Sequence, residues 1–118
     1  MKTIMKFESI EGWDKRANGT CLQGYINGSY HELVDAFGPP ISGSDKYKTD
    51  AEWLLILNDE VVVTIYNYKS GKNYLGANGL NVEDIDRWHV GGKNTQGLLL
   101  LDEHFEDEGV RISVELGR

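Results

Sequence analysis

The sequence predicts a single α+β domain over residues 1–118, a mainly antiparallel sheet of about five strands with two helices packed on one face. Three observations indicate this fold. A short helix with signals at both ends lies within 29–40, two strongly apolar segments that read as a hairpin lie within 51–68, and a clean apolar alternation occupies 110–116. A chain of 118 residues is long enough to build one hydrophobic core.

The first helix is predicted to begin after Ser29 and to end before Gly38. The Ser29 side chain can accept a hydrogen bond from the Glu32 N–H while the Glu32 carboxylate reaches back to the Ser29 N–H, which is a capping box. Gly38 can adopt a positive φ, and the two prolines after it cannot continue a helix. One apolar stripe at helical spacing predicts the buried face: Tyr30, Leu33, Val34 and Phe37.

The strands are predicted from β-branched and aromatic residues between turn signals. The strongest pair, 51–57 and 60–68, is joined by a turn at Asn58-Asp59, and both segments are apolar on successive residues, so we expect both of their faces to be covered. Weaker candidates are 1–10, 20–26, 86–91 and 110–116. Between them, Gly91-Gly92 is expected to form a turn and 69–80 a long flexible loop.

A second helix is predicted to run from a cap at Asn94 or Thr95 to about Asp107. Gly97 weakens its first turn, and Gly109 is expected to stop it. The residues expected on its buried side are Leu98, Leu101 and Phe105, with Leu99 and Leu100 widening the stripe.

The composition is that of a globular protein, with 40% hydrophobic and 26% charged residues. No apolar run approaches the ~20 residues of a membrane helix, and the N-terminal residues do not resemble a signal peptide. The single cysteine, Cys21, excludes an internal disulfide and fits a reducing compartment, so we expect a cytoplasmic protein. A net charge of −7 argues against direct nucleic-acid binding and permits a basic protein partner.

Five segments within about residues 18–100 form a recognisable pattern: NGTCLQGY (18–25), YHELVDAFGPP (30–40), EW (52–53), TIYNYK (64–69) and WHVGG (88–92). Together they resemble a group of small, uncharacterised proteins of tailed bacteriophages. The resemblance assigns no chemistry. It implies a small acidic protein, made in the host bacterial cytoplasm, that binds and blocks a host defence enzyme such as a CRISPR nuclease.

A weaker likeness is limited to the helix that ends in Phe37-Gly38-Pro39 and the tryptophan-containing strand after it. These resemble the small α+β modules of outer-membrane assembly lipoproteins and of β-lactamase inhibitor proteins. This chain lacks their secretion signal, lipidated cysteine and disulfides, so the likeness implies the architecture only.

The first candidate site is an acidic run on the second helix, assigned to partner binding: Asp102, Glu103, Glu106 and Asp107, followed by Glu108. Asp102 with Glu106 and Glu103 with Asp107 are i, i+4 pairs of like charge, which repel one another and stack along the helix. Such a line of carboxylates can imitate phosphates and occupy a basic nucleic-acid channel. The alternative is a solvated outer face without a partner.

The second candidate site is a set of aromatic and polar residues at the ends of adjacent predicted strands: Tyr66, Asn67, Lys69, Trp88, His89 and Lys93. Aromatic rings stack on bases and lysine meets phosphate, so the set predicts a site for a nucleotide signal. The alternative is core packing, since aromatic residues in strands mostly serve the core.

Catalysis would need a pair such as Cys21 with His89 or His31, but no base lies near Cys21 in the sequence. His31, His89 and His104 have no metal-ligand spacing with the cysteine, and no phosphate-loop or zinc-hydrolase motif is present. We therefore predict a protein that is not an enzyme and uses no cofactor or metal.

The leading hypothesis is a non-enzymatic inhibitor of bacteriophage type that blocks a host defence protein through its acidic face. One alternative is a protein that sequesters a nucleotide signal. Another is a structural or assembly component that self-associates through the terminal strands 1–10 or 110–116. No membrane contact is expected, and the sequence leaves the oligomeric state open.

Overall fold

The computed structural model describes residues 6–10, 15–41, 50–68 and 70–117. Within these residues the elements follow in the order β1 (Phe7–Ile10), β2 (Cys21–Asn27), α1 (Tyr30–Phe37), β3 (Glu52–Leu57), β4 (Val61–Tyr66), α2 (Lys72–Leu75), β5 (Arg87–Gly92), α3 (Gln96–Glu108) and β6 (Ser113–Leu116). Short 3₁₀ turns lie at 15–17, 76–78 and 82–84.

The six strands form one antiparallel sheet in the order β1-β3-β4-β5-β2-β6. The predicted α+β domain with an antiparallel sheet is confirmed, with one strand and one short helix more than the expected five and two. Part of the weak candidate 1–10 does form an edge strand, at Phe7–Ile10, whereas residues 1–5 lie outside the described residues. The segment 70–80, expected to be a loop, contains the one-turn helix α2.

One face of the sheet packs against α1 and α3, and alternate strand residues form the core there. The buried residues of this main core include Trp53, Leu55, Val63, Ile65, Trp88 and Val90 from the sheet, with Leu33, Phe37, Leu98, Leu101 and Phe105 from the helices. A smaller cluster lies on the opposite, outer face, where Ile10 and Ala17 pack against Leu54, Ile56 and Val62. This cover explains why β3 and β4 are apolar on successive residues.

The predicted boundaries of α1 are confirmed. The Glu32 N–H donates to Ser29 Oγ at 3.1 Å and the Ser29 N–H donates to Glu32 Oε1 at 2.8 Å, so the capping box is complete. Gly38 adopts φ 86°, a positive value at which the chain leaves the helix before the prolines.

The turn between β3 and β4 lies at Asn58 and Asp59 as predicted, but Glu60 also belongs to the connection, so β4 begins at Val61 and not at residue 60. Asn58 and Asp59 adopt φ values of 54° and 66°, the pair of positive angles of a type I′ turn. This turn fixes the hairpin register, in which Leu57 is opposite Val61 and Glu52 is opposite Tyr66.

Two strand predictions are wrong in detail. Gly91 and Gly92 were expected to turn, but they continue β5 and pair with Leu22 and Cys21 of β2. A side chain at Gly91 would have its Cβ 2.5 Å from Thr64 Oγ1, so the glycine is needed for close packing on the outer face. The last strand begins at Ser113 instead of 110, because the chain first leaves α3 through Gly109 at φ 68°.

Helix α3 begins one residue after its N-cap Thr95, whose side chain makes no capping hydrogen bond. The Asn94 side chain acts instead, since its Oδ1 accepts the Gln96 N–H at 2.9 Å. Gly97 faces β4, and a Cβ there would lie 2.3 Å from Val63 Cγ2. Glycine therefore weakens the helix locally but lets α3 approach the sheet closely.

The described part of the chain contains no helix that is both long enough and apolar enough to span a membrane. The longest described helix is α3, with 13 residues.

Candidate functional site

Helix α3 presents a dense acidic surface on its solvent side. Asp102, Glu106 and Asp107 are exposed, as is Glu108 in the last turn. Glu103 differs from the other predicted partner-binding residues because it is half-buried, and its Oε1 is buried without a hydrogen-bond partner in the described part of the chain. The structure therefore brings three of the four predicted residues to an open surface.

Helix α1, which belongs to the same layer as α3, adds to this charge. Glu32 and Asp35 of α1 are the acidic residues of that helix, and neither α1 nor α3 contains a lysine or arginine. The two helices hold seven of the 19 acidic residues, which leaves twelve acidic residues against twelve Lys and Arg in the rest of the chain. The formal net charge of −7 thus resides entirely on these two helices.

The position of the acidic residues along α3 is electrostatically unfavourable. Asp107 and Glu108 form the end of the helix next to the left-handed Gly109, where the helix dipole already contributes partial negative charge. Asp102 and Glu106 also repel one another across one turn. The helix accordingly relies on its packing through Leu98, Leu101 and Phe105 rather than on its charge pattern.

A groove lies between α1 and α3, beside the acidic surface, and has a volume of about 480 Å³. We call it the helix groove. Its residues come from β1, both helices and the segment after α3: Phe7, Glu32, Asp35, Ala36, His104, Phe105, Glu108, Gly109, Val110, Arg111 and Ile112.

The outer face of the sheet carries a different feature, a row of side chains across five strands. Glu52 is opposite Tyr66, Tyr66 is opposite His89, His89 is opposite Tyr25, and Tyr25 is opposite Glu115. The ring centroid of His89 lies 5.5 Å from that of Tyr66 and 5.1 Å from that of Tyr25. Tyr68 joins them, with its ring centroid 5.7 Å from His89. We call Tyr25, Tyr66, Tyr68 and His89 the aromatic row.

Polar groups hold one end of the aromatic row. The guanidinium carbon of Arg87 lies 3.9 Å from the ring centroid of Tyr25, a cation–π arrangement. Glu115 Oε1 accepts hydrogen bonds from Arg87 Nε at 3.3 Å and from Asn27 Nδ2 at 3.0 Å. The hydrogen bond from Asn27 and, to a smaller extent, the nearby Arg87 lower the pKa of Glu115, so the carboxylate stays charged.

Burial also changes the acid–base behaviour of two ring side chains. Burial and, to a smaller extent, the charge of Arg87 lower the pKa of His89 from its ordinary value of 6.5. Burial and then the nearby Glu52 raise the pKa of Tyr66. His89 Nδ1 is buried and has no hydrogen-bond partner in the described residues. At neutral pH the stacked rings of His89 and Tyr66 are therefore uncharged.

We predict that His89 makes the domain less stable in mild acid. Below pH 6.5 the unfolded chain binds a proton at this histidine more readily than the folded chain does, so the free energy of unfolding falls as the pH falls. Melting temperatures measured between about pH 7.5 and about pH 5.5 should decline in the wild type and decline less in His89→Gln. The exposed His31 provides the control, and an equal flattening in His31→Gln would contradict the assignment to His89.

The structure does not bring the six predicted ligand-binding residues together. Tyr66 and His89 meet on the outer face, but Trp88, the neighbour of His89, points into the main core and is fully buried. Asn67 is 1% exposed, and its Oδ1 accepts the N–H groups of Asp50 and Ala51 at 2.7 and 3.1 Å. These two residues are structural.

The two predicted lysines do not complete that site either. Lys93 follows the far end of β5, where it lines a small cavity of about 250 Å³ with Glu60, Val61 and Gln96. Three residues, 90–92, lie between Lys93 and His89, so the two are ~13 Å apart along the extended chain. Lys69 lies outside the described residues.

In the described residues, no hydrogen bond joins Cys21 to His31 or His89. Cys21 is an exposed free thiol, and the Gln23 side chain donates to its Sγ at 3.4 Å. Within 6–10, 15–41, 50–68 and 70–117, no group of three or more His, Cys, Asp or Glu residues is placed to hold a metal ion.

Sequence reasoning missed several contributors to these surfaces, Tyr68 of the aromatic row among them. Tyr25 and Arg87 belong to strands that were predicted, and the alternation of β5 would have placed Arg87 with His89. Phe7 was overlooked because the segment 1–10 alternates only weakly, yet its ring lies 5.3 Å from Phe37 and 6.2 Å from His104.

Comparison with known proteins does not assign a family. A scan against protein-family models, a search of curated proteins and a search of solved structures found no match for this chain. The resemblance to bacteriophage proteins therefore stays a prediction.

Proposed function

We propose that this protein is a non-enzymatic binding protein that docks its acidic helices on a basic surface of another protein. The observation that carries the proposal is the location of the charge. Helices α1 and α3 hold seven acidic residues and no lysine or arginine, while the rest of the chain has equal numbers of acidic and basic residues. Charge complementarity of this kind speeds association and selects the partner.

The partner class that we propose is a host defence protein whose nucleic-acid site is basic, a CRISPR nuclease being one example. Exposed carboxylates along α3 would occupy positions that phosphates normally take, and the domain would exclude nucleic acid sterically. The bacteriophage resemblance described above supports this choice of partner, and the acidic surface supports the mechanism.

The proposal predicts a partner that is recovered only at low salt. The tagged domain is incubated with bacterial lysate at about 50 mM and about 500 mM salt, because screening shortens the reach of exposed charges from ~14 Å to ~4 Å over this range. A basic nucleic-acid-binding protein in the low-salt fraction, displaced by added DNA, is the expected result. A partner that persists at high salt and ignores DNA would contradict the charge-based mechanism.

The aromatic row supports a second candidate function, the binding of a planar ligand such as a nucleotide. Its rings lie together on the sheet face opposite the acidic helices, with the Arg87 guanidinium beside Tyr25. Base–aromatic stacking contributes ~1–3 kcal/mol for each base.

This second candidate predicts that a nucleotide mixture raises the melting temperature, because a ligand that binds only the folded state stabilises it by mass action. Tyr25→Ala and Tyr68→Ala should remove the rise, whereas Tyr74→Ala, outside the row in α2, should keep it. An unchanged melting temperature in the wild type would contradict nucleotide binding by the aromatic row and favour the protein-binding function.

A further inference from the structure

The helix groove combines an apolar floor with acidic walls. Phe105 is 1% exposed and closes the floor, while Phe7 and Val110 are 37% and 44% exposed. Ala36 of α1 also lines the groove, and its methyl side chain fills little of it. Large apolar side chains exposed around one concavity are typical of a binding surface.

The charges around this floor are mainly negative. Glu32 and Asp35 line the groove from α1 and Glu108 lines it from α3. Arg111 is the one lysine or arginine among the described lining residues, and it lies in the segment after α3. An apolar side chain entering the groove would therefore have carboxylates on both sides of it.

The following inference rests on the proposed function. We propose that the helix groove receives one large apolar side chain of the partner, and that lysine or arginine residues flank this side chain in the partner's sequence. The volume of about 480 Å³ suits an aromatic side chain with its backbone. The flanking cations would meet Glu32, Asp35 and Glu108 at the rim. Charge then brings the partner to the helices, and the buried anchor determines how long it stays.

A second copy of this chain is a poor occupant by the same argument. The helices carry a net charge of −7, so two helix layers brought together would repel each other. A basic segment of another protein removes this repulsion.

The test uses two dye-labelled peptides, four lysines on each side of a central phenylalanine or a central serine. At low salt the wild-type domain should bind the phenylalanine peptide about tenfold more tightly, since loss of a buried anchor typically costs at least ~1.4 kcal/mol. Amide chemical shifts of residues 109–112 should move with the phenylalanine peptide and not with the serine peptide.

Substitutions that fill the groove with a larger side chain should block entry of the phenylalanine. Ala36→Trp should bind both peptides with the affinity that the wild type has for the serine peptide. Val110→Trp should lower the affinity for the phenylalanine peptide in the same way, and it carries little risk to folding because Val110 is exposed. Leu99→Trp is the matched control, because Leu99 is 51% exposed on α3 outside the groove. This control should keep the tenfold preference.

The possible failures are distinguishable. Equal binding of the two peptides by the wild type, or a preference that survives in both filled variants, would overturn the anchor inference and leave the acidic-surface function intact. Binding of neither peptide at low salt would reject both. A concentration-dependent dimer, measured by light scattering and lost in Val110→Trp, would assign the groove to a second copy and overturn the inference.

Discussion

Reversing two charges on the outer side of α3, Asp102→Lys with Glu106→Lys, is expected to abolish binding of the basic partner while the domain stays folded. Both side chains are exposed, and the change raises the formal net charge from −7 to −3 at the centre of the acidic surface. If each reversal costs ~1.4 kcal/mol or more, affinity falls at least about a hundredfold. Titration of the purified partner by calorimetry at low salt measures the loss.

The stability of this double variant should not decrease. Two lysines at i, i+4 repel one another as the two acids do, but a cation at position 106, in the last turn of α3, interacts favourably with the helix dipole. An unchanged or slightly raised melting temperature is therefore expected, and it separates a binding effect from unfolding.

A matched variant controls for net charge. Glu8→Lys with Glu60→Lys also brings the formal net charge from −7 to −3, but neither residue belongs to α1 or α3. Glu8 lies on β1, and Glu60 lies in the β3–β4 connection beside Gln96, at the end of α3 opposite Asp107. This variant should bind nearly as the wild type does. Equal losses in the two variants would mean that overall charge matters and the helix surface does not.

The largest effect on stability is expected from Trp88→Ala. Trp88 is fully buried, its ring lies edge-on to Trp53 with the centroids 5.4 Å apart, and its Nε1 donates to the Gly28 carbonyl at 3.0 Å. Truncating a buried tryptophan typically costs ~3–5 kcal/mol because it removes contacts and leaves a cavity. That is a large part of the ~5–15 kcal/mol that holds a domain folded. Urea unfolding followed by circular dichroism measures the loss.

Trp88→Phe refines this prediction. The phenyl ring keeps much of the buried volume but cannot donate to Gly28, so we expect a smaller cost of about 1–3 kcal/mol. If Trp88→Ala were as stable as the wild type, the placement of Trp88 in the core would be wrong. A loss of stability without any ligand present would support the core role over the ligand-binding role predicted from the sequence.

The parts of the fold that could be predicted from the sequence are those that depend on neighbouring residues. The capping box of Ser29 and Glu32 needs only four consecutive residues, and the Asn58-Asp59 turn needs two residues that tolerate positive φ. Gly91 was misread for the opposite reason, because its role depends on the close approach of Thr64 from another strand.

The candidate sites were predicted less well because they depend on which strands become neighbours. Adjacent residues of a strand point to opposite faces, so Trp88 and His89 could not share a site once β5 was part of a sheet with two faces. The acidic run of α3 was visible in the sequence, but the contribution of Glu32 and Asp35 required the packing of α1 beside it. The helix groove has no local sequence signal at all.

The position of β2 has a consequence for how the chain folds. Strands β3, β4 and β5 are neighbours in both sequence and space, but β2 lies between β5 and β6, and Asn27 pairs with Arg87 sixty residues later and with Ser113. Contacts that close such long loops form slowly. During synthesis β2 therefore emerges well before either of its partners exists. In that interval its unpaired backbone is the part of the chain most open to pairing with another molecule.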